Sequence, residues 1–248
     1  MREAMYRAEV GDDVYGEDPS INHLQELAAE RLGKEAALFV ASGTMGNASA
    51  IMAHAGRGEA IIVGDQSHIY RYEVGGASTL GGSPMIVIPN EPDGMLNPHL
   101  ITINMSDGSD EHSAPTVLLC IENTHNRCGG TVLNREQVET LTSLAHSHSM
   151  HVHLDGARIF NAAIALNMPV SELVRSVDAV MFSVRSAQQE PLSEVETMQF
   201  LAKAQEHGVL MGHIGEGKIR AVTHYGVDAE DIKTALAAIR RTLIDLQV

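Results

Sequence analysis

Four polar clusters, each following a short apolar run, hold the side chains that could do chemistry. Ser42-Gly43-Thr44 combines a hydroxyl, free backbone N–H groups and a glycine at the start of a helical pattern, which suits a phosphate. A tight turn with a serine cap is the competing reading of those three residues alone. Asp65-Gln66-Ser67-His68 and Glu122-Asn123-Thr124-His125-Asn126 follow two further apolar runs, the second with Gly129-Gly130 beyond it. Singly, His68 and His125 read as ordinary turn histidines. His153-Leu154-Asp155-Gly156-Ala157-Arg158 is the fourth cluster. A carboxylate at Asp155 could hold a protonated ring nitrogen of a cofactor, with Arg158 balancing charge; an ion pair closing a strand end is the alternative. Polar clusters after four strands favour one shared site, because ligands of open parallel sheets gather at the strands' carboxyl ends.

His146, His148, His151 and His153 invite a metal reading, yet residues two apart on a helix do not face each other, and no Cys or HExxH pattern accompanies them. A metal site is not expected.

The elements that must position these residues are legible from spacing. Residues 21–32 and 45–55 have helical periodicity, the first with Ser20 as its expected N-cap, and residues 135–149 form a third amphipathic helix. Strands are expected at 36–40, 60–63, 84–88, 116–121, 151–154 and 178–184, with a polar loop at 104–114. Short apolar strands alternating with helices indicate an α/β fold with a mostly parallel sheet. Beyond residue 184 the texture changes: 185–191 reads as a junction, followed by helix (193–207), strand (208–214), strand (218–223) and helix (228–245). The expected organisation is a large domain over 1–184 and a small α+β domain over 192–248.

Seventeen Lys and Arg face 32 Asp and Glu among 248 residues, a net charge of −15 that argues against nucleic acid or an anionic membrane as partner. The two cysteines, Cys120 and Cys128, are too few for a disulfide framework and suit a reducing cytoplasm. There is no apolar run of about eighteen residues and no signal-peptide core at the N-terminus, which begins as though inside an uncapped helix. Only Lys34, Lys203, Lys218 and Lys233 are lysines.

Gly11-Asp12-Asp13-Val14-Tyr15-Gly16-Glu17-Asp18-Pro19, Ala41-Ser42-Gly43-Thr44-Met45-Gly46-Asn47, Glu122 to Asn126 and His153 to Phe160 together resemble the threonine aldolases. These belong to the β-eliminating lyase group of pyridoxal-phosphate enzymes with the aspartate-aminotransferase fold. The resemblance implies pyridoxal 5'-phosphate as cofactor and retro-aldol cleavage of a small β-hydroxy-α-amino acid, L-threonine or L-allo-threonine, to glycine and acetaldehyde. By that likeness Ser42, Gly43 and Thr44 form the phosphate turn, and His68 stacks on the cofactor ring with acid/base duty. Asp155 pairs with the ring nitrogen and Arg158 sits near the ring's phenolic oxygen. His125 lies near the substrate hydroxyl, and Arg220, in Lys218-Ile219-Arg220-Ala221, clamps the substrate carboxylate. Glu73 follows His68 in the same stretch without a fixed role. The family also implies a homodimer or homotetramer.

The likeness breaks after the strand at 178–184. Where the family has Ser-Lys-Gly, with the Schiff-base lysine, this chain has Arg185-Ser186-Ala187, and an ungapped reading puts Ser186 at the lysine's place. The family pattern resumes near residue 192, in sequence that normally lies far beyond the lysine, and the segment normally preceding Met1 is missing as well. The expectation is therefore an internally and N-terminally truncated relative with impaired catalysis. The alternative is a non-catalytic remnant that binds the cofactor or pairs with a full-length subunit.

Overall fold

The structure, a computed structural model, describes residues 6–183, 194–213, 219–220 and 229–246. Helix α1 (Pro19–Leu32) starts at Asp18, whose side chain accepts a hydrogen bond from the Ile21 N–H at 2.9 Å. This corrects the expected cap at Ser20: Pro19, with its fixed φ and missing donor, fits the first helical position and moves the cap to the residue before it. Gly33 ends the helix in the left-handed region at φ 63°. Helix α2 (Gly43–His54) is capped by Ser42, whose hydroxyl accepts from Met45 N–H at 3.1 Å.

Five parallel strands form the central sheet: β1 (Ala60–Gly64), β2 (Met85–Ile88), β3 (Thr116–Glu122), β4 (His151–Asp155) and β5 (Ala179–Met181), in the order β2-β1-β3-β4-β5. Alternation in these strands serves two faces. Ile61, Val63, Leu118 and Cys120 pack with Ile51 of α2, whereas Ile62, Leu119, Ile121, Val152 and Leu154 pack on the opposite side with Val138 and Leu141. The latter pair belongs to α5 (Arg135–Ser147), after the short helices α3 (His68–Arg71) and α4 (Pro98–Asn104). Burial on both faces explains why these strands read as continuous apolar runs. Helices α6 (Ile159–Ala165) and α7 (Val170–Leu173) complete the connection from β4 to β5.

Residues 36–40, expected as a strand, form none. Leu38 and Phe39 are 73% and 49% exposed, and the Phe39 N–H donates to the Gln25 side chain. The composition is strand-like, but a strand exists only with a neighbour to pair with. Beside this segment, β5 is the last strand of the sheet, and Ala36, Leu38, Val40, Val180 and Met181 line a groove of about 500 Å³. The strand expected over 178–184 is correspondingly short.

Close approach fixes the joint between β4 and β5. Gly156 N–H donates to the Met181 carbonyl at 2.7 Å, and a Cβ on Gly156 would stand 2.8 Å from that oxygen. Gly156→Ala is expected to cost ~1–3 kcal/mol, since a ladder carbonyl cannot yield without disturbing β5. Urea unfolding measures this, and an unchanged midpoint would remove the argument.

The chain divides between Ser183 and Val184 into two compact units. In the second, α8 (Glu194–Glu206) packs with α9 (Ala229–Leu246), burying Phe200, Ala204, Ala238 and Thr242, and β6 (Gly212–His213) pairs antiparallel with β7 (Ile219–Arg220). No described helix is long and apolar enough to cross a membrane.

Candidate active site

The strand order reverses direction between β1 and β3, so the connections leaving these strands diverge and open a crevice at their carboxyl ends. Register places the last residues of three strands side by side: Glu122 lies opposite Asp155, and Asp155 opposite Met181. Three of the four polar clusters, those after β1, β3 and β4, therefore reach one edge of the sheet.

Glu122 ties two of them together. One carboxylate oxygen accepts from His68 N–H and the other from Asn126 N–H, both at 2.8 Å. Burial, followed by the Asp155 charge beside it, pushes its pKa up to about 7. Asp155 is also buried. It accepts from the Asn47 side-chain amide at 2.9 Å and from Ala157 N–H at 3.2 Å, and burial raises its pKa.

The same Asn47 amide nitrogen donates to Glu73 Oε1 at 2.8 Å, and that oxygen meets His68 Nδ1 at 2.8 Å. The Glu73 hydrogen bond holds the His68 imidazole above its ordinary pKa. On its other side, Asn47 Oδ1 accepts from His153 Nε2 at 2.8 Å. His153, Asn47, Glu73 and Asp155 are buried, and only His68 reaches solvent, at 40% side-chain exposure.

His125 is fully buried, and neither ring nitrogen has a hydrogen-bond partner; the nearest carboxylate oxygen of Glu122 is 4.0 Å away. Burial lowers its pKa to about 4. Arg158 Nη1 donates to Asn126 Oδ1 at 2.8 Å, which joins the Arg158 and Glu122–Asn126 clusters. Ser42, Gly43 and Thr44 sit at the amino end of α2, with Ser42 and Thr44 exposed. The Ser183 hydroxyl lies 3.3 Å from where a Gly43 Cβ would stand, so it borders that turn too.

Arg220 lies on β7 in the second unit, and its side chain is outside the described residues, as are Arg185 and Ser186. Lys34, the one lysine before residue 184, points elsewhere: its ammonium donates to the carbonyls of Val174 and Val177, ahead of the amino end of β5. Lys203 and Lys233 contact Glu206 and Glu230. Of the four clustered histidines, His146 and His151 face Asp178 at 2.8 and 3.9 Å, ahead of and at the sheet's amino side, and only His153 belongs to the site.

Sequence reasoning passed over Asn47, His153 and Ser183 as site residues and left Glu73 unassigned. Two signals were available. Asn47 stands four residues from Gly43, on the same helix face. His153 stands two from Asp155, on the same side of a strand.

The family model described as β-eliminating lyase matches residues 1–191. Low-specificity L-threonine aldolase 1 of Arabidopsis thaliana is 44% identical over 208 residues, covering 82% of this chain and 58% of its own length. The low specificity L-threonine aldolase of Escherichia coli K12 is 43% identical over 179 residues, covering 72% and 53%. This chain thus spans little more than half the length of the curated relatives it matches. Among solved structures, a Leishmania major threonine aldolase superposes with TM-score 0.65 at 16% identity, over 98% of this chain and 94% of that one. That likeness carries the aspartate-aminotransferase fold. With the family match covering the whole sheet and all four polar clusters, the chain belongs to the β-eliminating lyase family.

Proposed function

We propose that this chain carries the cofactor-binding half of a threonine-aldolase-type lyase, with pyridoxal 5'-phosphate held at the carboxyl ends of β1, β3 and β4. The observation that carries this reading is Asp155: a buried carboxylate at a strand end, hydrogen-bonded only to neutral donors among its described partners. A carboxylate in that setting fits a cationic ring nitrogen, whose charge would offset the cost of keeping Asp155 ionised. When bound, the cofactor supplies an electron sink for the charge left at Cα as the Cα–Cβ bond breaks.

This chain's own residues supply the rest. Ser42, Gly43 and Thr44, with Ser183 beside them, would hold the phosphate at the amino end of α2. His68 would cover the ring, kept basic by its hydrogen bond to Glu73, and would hold a proton there. Arg158, oriented by Asn126, would face the ring's phenolic oxygen. His125 stays neutral because burial makes it a weak base, so it would orient the substrate hydroxyl as a hydrogen-bond acceptor. Arg220 would clamp the substrate carboxylate with its guanidinium fork. The reading extends to a cytoplasmic homodimer or homotetramer acting on L-threonine or L-allo-threonine.

Lys34 favours a second reading for the isolated chain. Its engagement before β5 leaves the first unit without a lysine at the site, as in a remnant that binds the cofactor without covalent capture or pairs with a full-length subunit. Titration with pyridoxal phosphate, followed by absorbance, tests what both readings share. Binding is expected, and Asp155→Ala should weaken it at least ~10-fold, the scale of one charge-assisted contact. A wild-type chain that binds none, or an Asp155→Ala chain that binds equally well, would overturn the assignment.

A further inference from the structure

We infer that Asn47, locked in place by His153, is a positioning residue that fixes the Asp155 carboxylate and ties it to the His68–Glu73 pair. This rests on the cofactor reading above and adds two residues that the reading does not use. The geometry leaves Asn47 one orientation. Both amide hydrogens are taken, one by Glu73 Oε1 at 2.8 Å and one by Asp155 Oδ2 at 2.9 Å, while its oxygen accepts from His153 Nε2 at 2.8 Å. Flipping the amide would set its oxygen against two carboxylates and its nitrogen against a donor.

His153 completes the lock. It is fully buried, and because the two carboxylates claim the amide hydrogens, Asn47 turns its oxygen to Nε2, so the single proton of the neutral ring belongs there. Burial pushes its pKa down to about 4, so this tautomer persists across the neutral range.

Charge inventory shows what the lock accomplishes. Ligand-type atoms of His68, Glu73 and Asp155 lie within 4.8 Å of one another. Two carboxylates that close repel, and one would take up a proton unless something lies between them. Asn47 donates to both at once, which favours the ionised form of each against burial. The His68 imidazolium matches Glu73, which leaves Asp155, with Glu122 beside it, to meet a cationic ligand. Without the amide, Asp155 shifts further toward its protonated form, which attracts a cation less.

The test uses Asn47→Leu, His153→Phe and His153→Gln in the full chain, with two readouts: affinity for pyridoxal phosphate at pH 8, and the titration of His68 followed by imidazole NMR without cofactor. Asn47→Leu and His153→Phe are expected to weaken cofactor binding at least ~10-fold and to move the His68 midpoint by ~0.5 pH unit or more. His153→Gln, which keeps a donor for Asn47, should recover most of both. A cooperatively unfolding Asn47→Leu chain with wild-type affinity and wild-type His68 titration would overturn the inference. Should Asn47→Leu fail to fold, His153→Phe matching wild type in both readouts would overturn it equally. Failure of the wild-type chain to bind cofactor would sink the functional reading alone, because the His68 titration would still judge the network.

Discussion

On the proposed reading, purified chain given pyridoxal phosphate and L-threonine is expected to release acetaldehyde at least ~10²-fold more slowly than the relatives it matches, because the proposed site would offer no lysine for covalent capture. The first unit contains one lysine, and Lys34 is held by two carbonyls ahead of β5, whereas the polar clusters lie past the other ends of the strands. A half-buried ammonium hydrogen-bonded to Val174 and Val177 is a structural clasp between the end of α1 and the turn into β5. Its pKa is lowered by burial, but no route brings it past the length of the sheet. Lys203, Lys218 and Lys233 belong to the second unit, where Lys203 and Lys233 contact carboxylates and Lys218 lies outside the described residues. Borohydride reduction after cofactor loading should therefore leave no specific adduct on the wild-type chain. Ser186→Lys, at the position that follows from an ungapped reading past β5, should create one. Rates near those of the relatives, or a stoichiometric wild-type adduct, would show that another lysine substitutes.

The cofactor-free chain should lose stability as pH rises above about 6.5. Three groups of the site have raised values when folded: Glu122 to about 7, with Asp155 and His68 shifted in the same direction. A group with a raised folded pKa stabilises below its unfolded value, and that contribution is lost as pH climbs through the folded value. His125 and His153 act oppositely. Both are depressed to about 4, so between pH 4 and 6.5 the unfolded chain binds protons on them that the folded chain does not. In that window the two sets offset each other, and the profile is close to flat. Above 6.5 the unfolded histidines are already neutral, so only the falling contributions remain. Urea midpoints from pH 4.5 to 9 measure the profile, and Asp155→Asn should make the alkaline fall shallower. Stability that keeps rising to pH 8 would contradict the charge assignments of the site. Bound cofactor should also flatten the fall, since a cation on Asp155 removes the reason to protonate it.

What the sequence determined by itself is what a few adjacent residues encode. Strands β1 to β4 were legible because apolar runs of four to seven residues, bounded by polar turns, have one good use in an α/β chain. Three of the four polar clusters, those after β1, β3 and β4, could be assigned to strand ends for the same reason, and parallel topology then sent them to one edge of the sheet. Tertiary structure decided whatever depends on a partner far along the chain. Residues 36–40 have strand composition but no neighbour, and strand formation requires a hydrogen-bonding partner rather than a propensity. Asn47 meets Glu73 and Asp155 across 26 and 108 residues of sequence, so its role appears only once α2 is laid against β4. His146, His151 and His153 look alike in the sequence, yet His146 in the last turn of α5 and His151 at the start of β4 meet Asp178 at the amino side of the sheet, whereas His153, two residues further along β4, reaches Asn47 in the site. Periodicity is local and survives in the sequence, whereas hydrogen-bond pairing and burial are set by which elements the folded chain brings together.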